Sequence, residues 1–240
     1  MAGLGTIINS SAIIVGGIAG LLFGNALKAK FRDSMTFVMG LSTLFIGGAG
    51  VISGMLRYAD GKFSTGGSLI LIFSLVLGCL AGEIIDIDKG CEKLGEWLKK
   101  RSKSDDSRFV NAFVTSSMTV CIGAMAVIGS INDGIHGDIS ILLTKSLLDA
   151  IIILIMTASM GIGCIFSALP VFVFQGGITL LSKLIEPFMN ETATWALSLV
   201  GSSLIFCVGL NLAFDKKIKV GNMLPSLIFA VALSFIPALA

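Results

Sequence analysis

The stretch TSSMTVCIGAMAVIGSINDGIHGDISILLTKSLLD, Thr115 to Asp149, decides how the rest of the chain reads. A small-residue apolar segment, Ser116 to Gly129, opens it and is expected to break at SINDGIHGD. A second apolar helix follows, carrying Lys145 and Asp149 well inside it. Their i, i+4 spacing puts both on one helix face, where they pair directly. Asp149 comes about 15 Å along its helix at 1.5 Å per residue, near the middle of a bilayer. A charge there costs about 2.5–3.5 kcal/mol on insertion scales, so it needs a partner or a water-filled cavity. Two readings of the pair stay open. It binds an ion, relays a proton or recognises a charged solute, or it is a neutralising pair that locks one helix to the bundle. The functional reading is preferred, because an apolar replacement would be the simpler packing solution.

Composition sets the solvent. The chain is 55% hydrophobic and only 13% charged, with mean hydropathy +0.95. Soluble domains carry about 25% charged residues, so most of this surface is expected to face lipid. The 29 glycines suit a packed bundle in which small residues let helix backbones approach closely. A net charge of +2 gives no footprint for nucleic acid. Of the five cysteines, Cys79, Cys121, Cys164 and Cys207 sit in apolar stretches, Cys91 does not, and no CxxC spacing occurs. Free thiols are the simplest reading.

About 20 mainly apolar residues are needed to cross the hydrocarbon core. On that ruler the sequence predicts eight spans: Leu4–Leu27, Met35–Met55, Gly67–Ile85, Phe109–Ile128, Ile139–Met160, Gly163–Leu184, Ala193–Phe214 and Val220–Ala238. A seven-span arrangement with one re-entrant segment is the alternative. The expected fold is an all-α integral membrane domain over 1–240. It divides into a three-helix unit (1–85), a cytoplasmic amphipathic segment (86–108), a central helix pair (109–162) and a second three-helix unit (163–240). Lys and Arg concentrate in the first, third and seventh loops, at Lys28, Lys30 and Arg32, at Lys89 to Arg108, and at Lys216, Lys217 and Lys219. The positive-inside rule then puts both termini outside. Residues Asp86 to Arg108 read as an amphipathic helix on the inner leaflet with Trp97 at headgroup level, or as a partner-docking helix.

Internal echoes suggest a repeat. GLSTLFIGGAG (40–50) resembles GSSLIFCVGLN (201–211), and SLILIF (68–73) resembles SLIF (226–229). Spans two and three would then match seven and eight across an odd number of spans, giving the inverted topology of many secondary transporters. A rival alignment sets SSAIIVGGIAG (10–20) over SSMTVCIGAMA (116–126).

Further polar groups lie in the spans. Asn9, Ser10 and Ser11 occupy span one, Ser116, Ser117 and Thr119 span four, and Gln175 span six beside Gly176–Gly177 and after Pro170. Single hydroxyls usually bond back to their own helix; gathered around Asp149 they would line a polar path. The SINDGIHGD break offers Asn132, Asp133, His136 and Asp138, either as an outer loop, the preferred reading, or as cation ligands if the break is deep. Gly16, Gly20 and Gly24 form a ridge for close helix packing or a homodimer contact. GxSxG, HExxH and GxxxxGK[ST] patterns do not occur, and one histidine makes no multi-histidine metal site. An enzyme is not expected, nor a cofactor beyond a coupling cation or proton.

The segments CIGAMAVIGSINDGIHGD (121–138), LLTKSLLDA (142–150), GIGCIFSALPV (161–171) and QGGITLL (175–181), with GTIINSSAIIVGGIAGLLFG (5–24), resemble the bacterial domain-of-unknown-function 554 membrane-protein family. The resemblance implies a multi-pass protein of the bacterial cytoplasmic membrane with transporter-like, inverted-repeat character. Its motif positions fall on Gly123, Asp133, Gly134, Lys145, Asp149 and Gln175. The resulting expectation is a homodimeric, cation- or proton-coupled transporter of an ion or small polar solute. Its solute- or ion-binding residues are Asn9, Ser116, Thr119, Asp133, Lys145, Asp149 and Gln175. A passive channel, or a scaffold or sensor that recruits a cytoplasmic partner, are the alternatives.

Overall fold

A computed structural model of the chain describes residues 2–26, 29–59 and 61–236. Leu27, Lys28 and the last residues of the eighth expected span lie outside that set. The long helices are α1 (Leu4–Ala26), α2 (Ala29–Met55), α3 (Ser68–Ile85), α4 (Ile87–Arg101), α5 (Phe109–Cys121), α6 (Ala124–His136), α7 (Ser140–Met160), α8 (Ala168–Leu180) and α10 (Glu191–Phe214). Shorter ones are α9 (Ser182–Ile185), α11 (Val220–Met223) and α12 (Ser226–Leu233). A small antiparallel hairpin, Leu56–Ala59 with Lys62–Thr65, joins α2 to α3. The protein is thus an all-α membrane protein with one short β-ribbon in a loop.

Among the described residues, six helical segments are long and apolar enough to cross a membrane, and the bent pair α5–α6 makes a seventh if it counts as one span. In place of the expected eighth span, Val220–Ala238, the described residues hold an apolar helical stretch, Val220–Leu233, shorter than a spanning helix. Outward-facing Val15, Leu22, Phe45, Ile46, Ile84, Leu147, Val173 and Ile228 are all well exposed, as a lipid-facing surface requires.

Glycine sets the helix pairs. A Cβ at Gly16, Gly20 or Gly24 would run into the backbone carbonyls of Ala150, Leu154 and Ala158 in turn. The ridge read from the sequence is therefore used up within the chain, against α7, and gives no homodimer contact. Because both series rise together, α1 and α7 run parallel. Gly40 against Ala213, Leu44 against Gly209 and Gly47 against Phe206 show α2 and α10 packed antiparallel. Gly78 against Ser226 and Gly82 against Asn222 do the same for α3 with α11 and α12.

The helix break lies elsewhere than the sequence led us to expect. Residues 129–136 continue α6, and the chain breaks instead at Ile122–Gly123 with a bend of 63°. Gly123 has φ +143°, a backbone conformation that only glycine adopts at ease. The turn-rich SINDGIHGD ends a helix rather than replacing one. Gly137 takes the left-handed conformation, and the amides of Gly137 and Asp138 donate to the carbonyls of Asp133 and Asn132. Arg108, at the start of α5, reaches the Ser159 carbonyl at the end of α7, whereas Asp133 on α6 meets the start of α1. The bent pair therefore runs from one end of the bundle to the other.

Basic residues collect at the end formed by Arg108, Met160 and the α10–α11 connection. The expected amphipathic helix is present there as α4. It buries Gly95 and Leu98 against Phe109 and Phe113 while Trp97 stays 58% exposed. Asp88 and Asn222 clamp α4 to α11, each accepting the other's backbone amide, at 2.8 Å and 3.3 Å. Burial pushes the Asp88 carboxyl above its ordinary range, against the pull of the Asn222 and Gly221 backbone amides.

The glycine contacts give a direct test. Gly20→Val is expected to destabilise the protein by about 1–3 kcal/mol or more through overpacking. Gly90→Ala on α4, with open space around its Cβ, should be neutral or stabilising by up to about 1 kcal/mol. Thermal unfolding in detergent measures both.

Candidate functional site

The break at Gly123 has a chemical consequence. Ending α5 at Cys121 leaves its last carbonyls without partners from a following turn, and the partial negative end of a helix dipole accumulates there. The Lys145 ammonium fills that position, donating to the Val120 carbonyl at 2.8 Å. One turn along α7 it also meets the Asp149 carboxylate at 2.6 Å. Both residues are buried, with 6% and 3% exposure. At this depth an uncompensated ion costs several kcal/mol, so the second partner on each side matters as much as the pair.

That second partner for Asp149 comes from α1. Asn9 donates its amide nitrogen to the same carboxylate oxygen at 3.0 Å and to the Gln175 carbonyl oxygen of α8 at 3.3 Å. Four of the seven residues expected at the site, Asn9, Lys145, Asp149 and Gln175, thus form one connected chain across α1, α7 and α8. They are 140 and 166 positions apart along the sequence where Asn9 meets Asp149 and Gln175.

The other three are placed differently. Asp133 is fully buried, but its carboxylate accepts the backbone amides of Gly3 and Gly5 at 3.1 Å and 3.0 Å, capping the first turn of α1. A negative charge at a helix N-terminus is stabilising, and here it ties α6 to α1 one turn from Asn9. Ser116 donates to the Phe113 carbonyl and Thr119 to the Thr115 carbonyl, each within its own helix. Asp138 accepts from the amide and hydroxyl of Ser140, which hold its carboxyl below the usual range.

Sequence reading missed two parts of the site. One is the Val120 carbonyl, because a backbone ligand has no side-chain signature; the signal was Gly123, which was noticed without its structural role. The other is the buried Thr179 one turn beyond Gln175 on α8, whose hydroxyl has no partner among the described residues.

A cavity of about 770 Å³ opens at the basic end, lined by Asp88, Lys89, Glu92, Asn111, Thr115 and Lys219 among others. It does not reach the charged pair. Met160 and Leu212 line it and also pack against the apolar cluster that includes Ile13, Val120, Ile153 and Met156. Among the described residues no group of three or more His, Cys, Asp or Glu side chains gathers to hold a metal ion.

A family model for "Protein of unknown function (DUF554)" matches residues 4–235. The chain belongs to the DUF554 family. It is similar to "Uncharacterized membrane protein YdfK" of Bacillus subtilis, 31% identical over 233 residues, covering 97% of this chain and 96% of the relative. It is also similar to "Uncharacterized protein YqgA" of Escherichia coli, 30% identical over 236 residues and 96% of each chain. No solved structure matches the chain. Family membership supports the multi-pass membrane reading and leaves the activity to the site itself.

Removing half of the buried pair separates its parts. Lys145→Met should destabilise the protein by about 3–5 kcal/mol, because Asp149 is left charged and buried. Adding Asp149→Leu should recover most of that loss. Equal, additive losses in a double-mutant cycle measured by denaturant titration in detergent would show that the two charges do not depend on each other.

Proposed function

We propose that this protein is a membrane transporter for an ion or small polar solute, with Lys145 and Asp149 as its charge-bearing element. The observation that carries the reading is the Lys145–Asp149–Asn9–Gln175 chain. It joins three helices at mid-bundle, beside a helix broken at Gly123. Intramembrane charges that face the bundle interior typically mark solute and ion routes, and broken helices whose ends meet charge are common in transporters. In this proposal the basic end lies in the cytoplasm, both termini lie outside, and the cavity beside α4 is the inner vestibule, closed off by Met160 and Leu212.

The packing of α2 on α10 and of α3 on α11–α12 supports an inverted repeat. Leu44 meets Gly209, while Gly48 meets the Phe206 ring. Gly209 is the counterpart of Gly48 in the alignment of 40–50 with 201–211, and the antiparallel course of α2 and α10 is the orientation an inverted repeat would give them. A coupling cation or proton would act at Asp149, with Lys145 holding the carboxylate ionised until the solute arrives.

Flux into proteoliposomes tests the reading. Asp149→Asn and Lys145→Met are each expected to lower solute or ion flux at least tenfold while a saturable dependence on concentration remains. Wild-type flux preserved in both variants sinks the site. Unitary conductance steps in a planar bilayer would make the protein a channel instead.

A further inference from the structure

Hydroxyls in the spanning helices fall into two groups. Ser116, Ser117, Thr119, Ser146 and Thr43 each donate to a carbonyl of their own helix, the ordinary outcome for Ser and Thr. Ser74, Ser130, Thr157 and Ser226 behave otherwise, and so do three that lie on α1 and α8, namely Thr6, Ser10 and Thr179. All three are more than nine-tenths buried, and their oxygens have no hydrogen-bond partner among the described residues. The same holds for the Asn9 carbonyl oxygen and the Gln175 amide nitrogen, on residues fully buried at the same interface. Each buried polar group without a partner costs about 1–3 kcal/mol. Of ten such atoms among the described residues, five belong to this one pair of helices, and the others are on Ser74, Ser130, Thr157, Asn222 and Ser226.

Helical spacing gathers the five. Thr6, Asn9 and Ser10 are separated by three and four residues and share one face of α1, and Gln175 and Thr179 share one face of α8. The two faces meet where Asn9 donates to Gln175. Room exists beside them: a Cβ at Gly176 would find only the Thr6 methyl, at 3.9 Å. On its other side α1 is pressed onto the α7 backbone at Gly16 and Gly20. At Gly17 it also meets the Ile165 side chain just before α8, so the spare room lies at the level of Thr6 and Gly176.

The charged pair dictates how the amides face. Asp149 takes the Asn9 amide nitrogen, so the Asn9 carbonyl oxygen turns away from it. The Gln175 carbonyl oxygen takes that nitrogen too, so the Gln175 amide nitrogen is left to donate elsewhere. One amide donor, one carbonyl acceptor and three hydroxyls result, with no net charge because Lys145 neutralises Asp149.

Resting on the transporter reading, we propose that this α1–α8 interface seats a small uncharged solute of the amide class, with urea and acetamide as its simplest members. The solute carbonyl accepts from Gln175 Nε2, and its N–H groups donate to Asn9 Oδ1 and the hydroxyls. A hard cation needs several oxygen ligands and favours carboxylates, whereas the Asp149 oxygen facing this interface already takes Lys145 and Asn9. An anion would meet the Asn9 carbonyl with no cation left to offset it.

Stopped-flow light scattering on proteoliposomes of the full chain, under urea and acetamide gradients, tests this beside sodium, potassium and proton flux. Amide entry is expected at least tenfold faster than in protein-free vesicles. Thr6→Val and Thr179→Val should each cut it fivefold or more. Neither hydroxyl makes a bond among the described residues, so the thermal midpoint of both variants should hold or rise. Ion flux that depends on Lys145 and Asp149 without amide entry overturns the solute class and leaves transport standing. Glycerol entry without amide entry does the same. Amide entry indifferent to both valine variants moves the seat elsewhere and overturns the proposal. No flux of any probe removes the transporter reading along with it.

Discussion

A lysine and an aspartate held in the low-dielectric middle of a helical bundle set the terms for everything around them. Their mutual attraction does not by itself offset the loss of water from both ions. The remaining stabilisation comes from outside α7: a carbonyl exposed where α5 stops, and an amide supplied by α1. Three helices must therefore hold their relative positions for one ion pair to stay buried. The broken α5–α6 segment is the structural counterpart of this requirement, since an unbroken helix at Val120 would have used its carbonyl internally.

Two styles of helix contact follow. Where backbone meets backbone, as between α1 and α7 or α2 and α10, glycines allow close approach and van der Waals contact dominates. Where α1 meets α8, side chains with hydrogen-bonding capacity remain only partly satisfied.

The ends of the bundle differ in the same physical sense. One is tied by Asp133 capping the first turn of α1, which settles that helix with a charge needing no mobile partner. The other carries the basic residues, the amphipathic α4 and the polar cavity, with α4 anchored by the Asp88–Asn222 clamp. Two residues of the cavity wall, Met160 and Leu212, pack against the apolar cluster that holds Val120, whose carbonyl receives Lys145.

Much of this was legible in the sequence because lipid is a severe solvent. Low charge content, long apolar runs and the clustering of Lys and Arg determined a multi-pass α-helical protein, and the i, i+4 spacing of Lys145 and Asp149 determined their pairing. Asn9 and Gln175 stood out as polar residues in apolar runs, although nothing local said that they meet. The helix break was misplaced because turn-forming residues in SINDGIHGD resemble a loop when local propensity is read alone, and here they serve as a helix end. Only the tertiary structure decided that Gly123 opens the chain, that a backbone carbonyl completes the lysine's shell, and that Asp133 caps α1 rather than joining Asp149. The physical reason is common to all three. Periodicity and composition report which face of a helix avoids water, whereas the partner of a buried polar group depends on which distant helix is packed against that face.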